Sequence, residues 1–250
     1  MTQQTHHGRI YSGDLYIKKY GSDDGWVILG NVTELKSKSE IEKKELIGRG
    51  KHNYGQAIDS TAIPKPTELS INFDSFDKHA LAQALMGELV ENAGTPSPIN
   101  KEIKAKKGVW IDLGVMDIDA EGFAVKTKSP SKPLEKADYE LNTNLGMIWL
   151  NDTETTKALT DESVLVITGN TKGQASIQIE AGTLHNLELE LKLDGKDQIT
   201  GKEGILHIPH AVLSANGELD WLSDDWMQAG LSGTAVKDEG KPVMQFVEFG

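Results

Sequence analysis

Hydrophobic and polar residues alternate with a period of two along much of this chain. The clearest stretch is 186–195, NLELELKLDG. Leu187, Leu189, Leu191 and Leu193 take every second place, and Glu188, Glu190, Lys192 and Asp194 fill the others. Period two predicts a β-strand with one face in a core and a charged face turned away from it. The segment 33–46 repeats the pattern, with Leu35, Ser37, Ser39 and Ile41 on one side. Its other side is wholly charged: Glu34, Lys36, Lys38, Glu40, Glu42 and Lys44. Further strands are predicted at 14–19, 26–32, 68–73, 109–116, 123–127, 139–142, 147–150, 163–167, 175–180, 204–212, 228–236 and 243–249. The apolar run 164–167 is expected to be buried on both faces.

One segment switches to helical spacing. Within 76–86, Phe76, Ala80, Leu81, Ala84 and Leu85 form a narrow apolar stripe, which predicts a helix docked on a sheet. Asp74 or Ser75 is expected to cap it, Asp77 to sit in its first turn, and Gly87 to end it. The stretch 48–63 has glycines at 48, 50 and 55 and little pattern. It predicts an extended loop or a mobile hairpin tip, stopped by Pro64-Lys65-Pro66. Residues 93–98, AGTPSP, mark a composition break, and 129–133 and 151–162 read as loops. Short strands, frequent turns and one helix predict a mainly β fold: a β-sandwich or partial barrel with a flanking α-helix.

Composition narrows the function classes. The chain has 250 residues, 38% of them hydrophobic, enough for one large β domain or two small ones. The net charge of −12 repels phosphate, so the chain is not expected to grip nucleic acid. With no cysteine there is no disulfide scaffold, thiolate zinc site or cysteine nucleophile. Residues 1–13 lack a basic segment followed by an apolar one, so no signal peptide is expected. No apolar run has the length of a membrane span, and the sequons at Asn31 and Asn151 are not expected to be glycosylated, since no signal to a glycosylating compartment is expected.

Candidate chemistry dissolves on inspection. Asp117, Asp119 and Glu121 with Gly122 open like a calcium loop, but Lys128 stands where a bidentate carboxylate is needed. The segment is read as a hairpin turn. His207 and His210 are three apart, which on a regular strand points them to opposite faces and prevents chelation of one metal. Ser129-Pro130-Ser131-Lys132 matches S-x-x-K without its companion motifs. Gly48-x-Gly50 lacks the third glycine of a dinucleotide loop. The tryptophans at 26, 110, 149, 221 and 226 have no basic patch around them. The expectation is a protein that is not an enzyme, with no metal and no cofactor.

The order of segments is informative. GDLYI comes first, then GNVTEL, a charged strand and a long loop; IPKP, LSINFDSFD and the short helix LAQALMGE follow. Much later come LELELKLDGKDQITGK, ILHIPHAVLSANGELDWLSDDW, GLSGTAV and the closing FVEFG. This ordering resembles the major tail tube proteins of long-tailed, siphophage-type bacteriophages. The resemblance runs over nearly the whole chain, 1–250 as one tail tube domain, and is carried by 13–88 and 184–250. The middle block, 91–183, matches only loosely, although DYELNTNLGMIWL is similar to an insertion in longer members.

The resemblance implies a β-sandwich flanked by one helix. Six copies would form a ring whose sheets join into a continuous β-barrel, and the rings would stack into a tail tube. Its partners would be further copies of itself, the tape-measure protein in the channel, and the tail terminator and baseplate or distal tail proteins at the ends. The channel would be acidic, and genomic DNA would pass through it during ejection without specific binding. The tube would be assembled in the host cytoplasm and end in the virion, with no membrane involved. Glu34, Lys36, Lys38, Glu40, Glu42, Lys44, Glu188, Glu190 and Lys192 are then candidates to line the channel. The loop 46–63 would be the arm that reaches the neighbouring ring, with Gly48, Arg49, Gly50, Lys51, His52, Asn53, Tyr54, Gly55 and Gln56 as stacking candidates. Residues 1–8 and 237–250 would be further contact arms, and the middle block would sit outside the tube. Two other readings stay open. One is the tube protein of a contractile injection or type VI secretion system. The other is a monomeric β-sandwich binding module that uses exposed aromatics.

Overall fold

The computed structural model describes residues 8–249. The chain is mainly β. In order, its elements are β1 Tyr11–Lys19, β2 Val27–Ile28, β3 Val32–Lys38, β4 Ile41–Ile47, β5 Ala57–Pro64, β6 Thr67–Phe73, α1 Lys78–Ala84, β7 Glu88–Asn92, β8 Pro98–Lys104, β9 Trp110–Asp112, β10 Ala124–Thr127, β11 Pro133–Leu134, β12 Tyr139–Asn142, β13 Met147–Leu150, α2 Glu154–Lys157, β14 Val164–Asn170, β15 Ser176–Glu180, β16 Leu187–Asp197, β17 Glu203–Ala215, β18 Ala229–Ala235 and β19 Gln245–Glu248. Neither helix is long and apolar enough to cross a membrane. The chain divides into two compact units, Met1–Val90 with Ile179–Gly250, and Glu91–Gln178.

The first unit is built on one antiparallel sheet in the order β2-β1-β16-β17-β18-β6-β3. β17 is long enough to serve two neighbours on one edge: residues 211–215 pair with β18 and residues 204–207 with β19. The two ends of this path, β2 and β3, are joined by residues 29–31 alone. Four Cα steps reach at most about 15 Å, whereas seven flat strands would span about 29 Å. The sheet therefore curls around its own apolar face, without a ladder closing β2 onto β3. Leu15, Ile17, Leu29, Ile71, Phe73, Leu191, Ile208, Leu213 and Leu231 fill the interior, each 2% exposed or less. Burial of such side chains contributes roughly 1.5–3 kcal/mol each.

The crossover at 29–31 corrects two expectations. The strand predicted at 26–32 is broken, because Gly30 turns the chain with φ +54°. A Cβ there would also collide with the Ser75 carbonyl, so glycine is required on both counts. Asp74 and Ser75 do not cap the helix; they hold the crossover. Asn31 Nδ2 donates to Asp74 Oδ1 at 2.7 Å and the Asn31 amide donates to Ser75 Oγ at 2.6 Å. The cap is Asp77, whose side chain accepts from the Ala80 amide at 2.7 Å. Ala80, Ala82 and Ala84 are the buried helix residues, a broader face than the predicted stripe. The helix is covered on a second flank, where the Gly182 and Leu184 amides donate to the Leu85 and Met86 carbonyls. At its end Met86, not Gly87, takes the positive φ.

The predicted strand 33–46 is also divided. β3 joins the large sheet through β6, whereas β4 leaves it and pairs only with β5. Half of the predicted loop 48–63 is thus a strand. The C-terminal segment is not a free arm, because β19 lies in the sheet beside β17. The contact arm expected at 1–8 falls almost entirely outside the described residues.

The second unit holds a four-stranded sheet, β11-β10-β14-β8, and a three-stranded one, β12-β13-β9. Leu113, Ile118, Val125, Ile148, Leu165 and Ile167 lie at its centre, each 1% exposed or less. The run 164–167 buries only one face fully, since Val164 and Val166 are half-buried. β8 escaped prediction because Lys101 occupies an inward place between Ile99 and Ile103, where its Nζ donates to the Leu113 carbonyl at 2.6 Å. The predicted loop 151–162 contains α2, started by a Thr153–Thr156 capping box. Residues 117–122 are not a hairpin turn: they join β9 of one sheet to β10 of the other. β7 and β15 pair as a two-stranded ribbon where the chain leaves and re-enters the first unit.

Candidate functional site

Cross-strand partners in a ladder point to the same side of a sheet, so the registers define the face opposite the core. β3 contributes Glu34, Lys36 and Lys38, opposite Asn72, Ser70 and Glu68 of β6. These face Gly230, Ser232 and Thr234 of β18, which in turn lie opposite Ser214 and Val212 of β17. β16 contributes Glu188, Glu190, Lys192 and Asp194, and β1 contributes Asp14, Tyr16 and Lys18. The two charged rows separated by some 150 positions in the chain thus share one polar face. Glu40 lies at the break after β3 and pairs with Lys38 at 2.6 Å and Lys65 at 3.7 Å. Glu42 and Lys44 are not on this face; they stand on β4, opposite Ile63 and Thr61.

Four of the five lysines of the face are engaged; the fifth, Lys196 near the end of β16, is exposed. Lys36 pairs with Glu34 at 2.7 Å, and Lys38 reaches Glu68 at 3.8 Å besides Glu40. Lys18 pairs with Glu190 at 2.9 Å. The Nζ atoms of Lys18 and Lys192 also lie 5.1 and 4.4 Å from the centroid of the Trp26 ring, within cation–π range. The seven acids Asp14, Glu34, Glu68, Glu188, Glu190, Asp194 and Glu203 only slightly outnumber the five lysines, Lys196 included. The face is mixed, and most of the chain's negative charge lies elsewhere.

The histidines depart from the regular-strand expectation. The β16–β17 register shifts between Leu189 and Leu191, which lie opposite Ala211 and Ile208. Pro209 and His210 are therefore a bulge facing Glu190, and the extra residue returns His207 and His210 to one side. His207 Nε2 donates to Glu190 Oε1 at 2.8 Å. His210 Nδ1 donates to Asp238 Oδ1 at 3.0 Å, and its ring stacks on Tyr20. Tyr20 donates its hydroxyl to Asp238 Oδ2 at 2.8 Å. Among the described residues no three His, Cys, Asp or Glu side chains form a metal-ligating group. The two imidazoles serve different carboxylates.

These contacts move the carboxylates. Burial pushes Glu190 towards its neutral form, but hydrogen bonds from Lys18 and His207 outweigh it and hold its pKa below the usual range. Asp238 is held low first by the His210 hydrogen bond and then by Tyr20, against its desolvation. Beside this cluster a cavity of about 660 Å³ is lined by Lys18, Tyr20, Trp26, His79, Gln83 and Glu188. Its charges are of both signs and already paired in part, and no nucleophile stands beside a base.

The second candidate surface is the β4–β5 arm. All strand residues of both strands are exposed. Ile41, Leu46, Ile47, Ile58 and Ile63 are 42–65% exposed, and Tyr54 near the tip is 79% exposed. Cross-strand pairing puts Ile41 on one side and Leu46 and Ile63 on the other, so both faces of the arm carry exposed apolar residues beside the charged Glu42, Lys43, Lys44 and Glu45. A two-stranded hairpin without a core is marginal in water. At the tip the Gly55 amide donates to the Gly48 carbonyl at 2.9 Å and the Gly48 amide to Gln56 at 2.7 Å. Gly48 and Gly50 lie against Asn53, and Gly55 adopts φ +78°. Arg49, Lys51 and His52 are exposed. The nine predicted stacking residues, 48–56, therefore form one ordered turn.

Sequence reasoning missed Trp26, Tyr20 and Asp238, because each reaches the face from a loop or a strand end. It also passed over the β17–β18 connection, 216–228, where Trp221, Leu222 and Trp226 are 59%, 94% and 83% exposed. Two tryptophans among aspartates in a turn-rich stretch were the available signal.

A family model described as protein of unknown function UCP028589 matches residues 9–249. No curated protein matches the chain.

Proposed function

The chain belongs to that family of unknown function, and we propose that it is a structural virion protein that polymerises as stacked hexameric rings into a phage tail tube. The observation that carries this reading is the β4–β5 arm, with apolar residues on both faces and no core of its own. Such a surface calls for a partner. The open ends of the sheet path at β2 and β3 are where sheets of neighbouring copies would join into a barrel. Part of this outer polar surface would then turn to the channel. Four of its five lysines are held by carboxylates or by Trp26, so they offer phosphate little, and DNA would slide past without being gripped. Further copies, a tape-measure protein, and terminator and distal tail proteins are the partners this reading requires.

Electron microscopy of the purified chain across a concentration series tests it. Rings or hollow tubes are the expected result. Deleting 50–56 should leave a folded chain that no longer polymerises; tubes from that variant would remove the arm from the mechanism. A second reading is favoured by the exposed Trp221 and Trp226: a monomeric β-sandwich module that binds a ligand through them. It requires a monomer at every concentration, even with tail-initiation proteins added.

A further inference from the structure

We propose that the connection 216–228 of one copy is the receptor for the tip of the β4–β5 arm of a second copy. The inference rests on the assembly reading and names the two surfaces that meet. β17 and β18 are adjacent antiparallel strands, which a turn of about two to five residues could join. The chain instead uses 216–228, a segment with Glu218, Asp220, Asp224 and Asp225 and no lysine or arginine. It carries Trp221, Leu222 and Trp226 outward. The arm tip, 48–56, has the opposite character: Arg49 and Lys51, no acid, and Tyr54 at 79% exposure.

In a chain of net charge −12 this basic tip is a local inversion, and 216–228 is its complement in charge and in chemistry. Arginine and lysine settle on tryptophan faces, while tyrosine and tryptophan fill interface centres with their polar ends at the rim. Within one copy neither surface covers the other, since Tyr54 and Trp226 are both largely exposed. Contact between copies would join unlike patches. Such a head-to-tail contact leaves a free tip and a free receptor at its ends, so it propagates along a stack.

The test places a photo-crosslinking residue at Tyr54 in the full chain, irradiates across a concentration series, and maps the products by mass spectrometry. Sedimentation velocity records assembly in parallel. The expected crosslink runs from 54 to 216–228. Asp224→Lys with Asp225→Lys should reduce it roughly tenfold, and Arg49→Glu with Lys51→Glu in the crosslinking copy should restore it. Assembled particles whose crosslinks map elsewhere, or are unmoved by charge reversal, overturn the receptor while the tube reading stands. A chain that stays monomeric and uncrosslinked throughout, even with tail-initiation proteins added, overturns both. If the charge-reversed receptor fails to fold, the crosslink map of the Tyr54 variant alone decides.

Discussion

The imidazole of His210 lies flat on the ring of Tyr20, with 3.7 Å between centroids and 6° between planes. Both residues donate hydrogen bonds to Asp238, which pins the segment after β18 to the polar face. Asp238 has its pKa lowered in the folded chain by the His210 bond first. A lowered acid stabilises the fold above the ordinary carboxylate range, and this contribution is lost as pH falls through the folded value. Asp238→Asn should therefore be less stable than the parent by a constant amount above about pH 5. The difference should shrink on acidification below about pH 4. Urea titrations from pH 7 to 3 measure it, and a pH-independent difference would show that the carboxylate's charge is not what matters.

Glu188 and Glu190 stand two apart in one row but should respond differently to removal. The Glu190 side chain is 19% exposed and holds both Lys18 and His207, whereas that of Glu188 is 60% exposed. Glu190→Gln should cost about 1–2 kcal/mol, less than a fully buried pair. Glu188→Gln should stay within about 0.5 kcal/mol. Chemical denaturation of both variants checks this. It follows that a test of the channel lining should reverse Glu188 and Glu68, not Glu190.

Gly13, Gly195 and Gly204 lie in register across β1, β16 and β17, where the core thins out. The rings of Tyr11 and Phe246 meet edge to face there at 5.9 Å. A Cβ on Gly204 would come within 2.8 Å of the Phe246 ring. Phe246 is 47% exposed and its ring can swing outward, so Gly204→Val should lower stability by about 1 kcal/mol or less and speed amide exchange in β19. Protection of β19 equal to that of the parent chain would contradict this.

The arm makes the opposite prediction. Ile41→Lys with Ile63→Lys changes residues that are 65% and 42% exposed. Unfolding of the dilute chain should therefore move by no more than about 0.5 kcal/mol. The assembled fraction at high concentration should fall sharply, because the same side chains would be buried between copies. A large loss of stability without any effect on assembly would assign these residues an intramolecular role. Thermal unfolding and sedimentation velocity together separate the two cases.

Alternation is a local property, and where one ladder holds the whole alternating run the strand was legible. β16, β6, β12 and β13 follow from their periods, because one face of each meets apolar neighbours and the other does not. The charged identity of the polar face was also readable, one strand at a time. The sequence alone could not say that Glu34 and Glu188 share that face, since this depends on four intervening ladders. Nor could it place the break after Lys38, where Glu40 and Lys65 turn one alternating run into a sheet strand and an arm. Period two continues unchanged through that point. Asp74 and Asp77 are equally good caps by residue type, and a distant Asn31 decides between them. The sidedness of His207 and His210 was set by a bulge that exists only when β16 and β17 pair. Period and composition determined which residues are inside; pairing between distant strands decided which polar residues meet, because that is a contact energy and not a pattern along the chain.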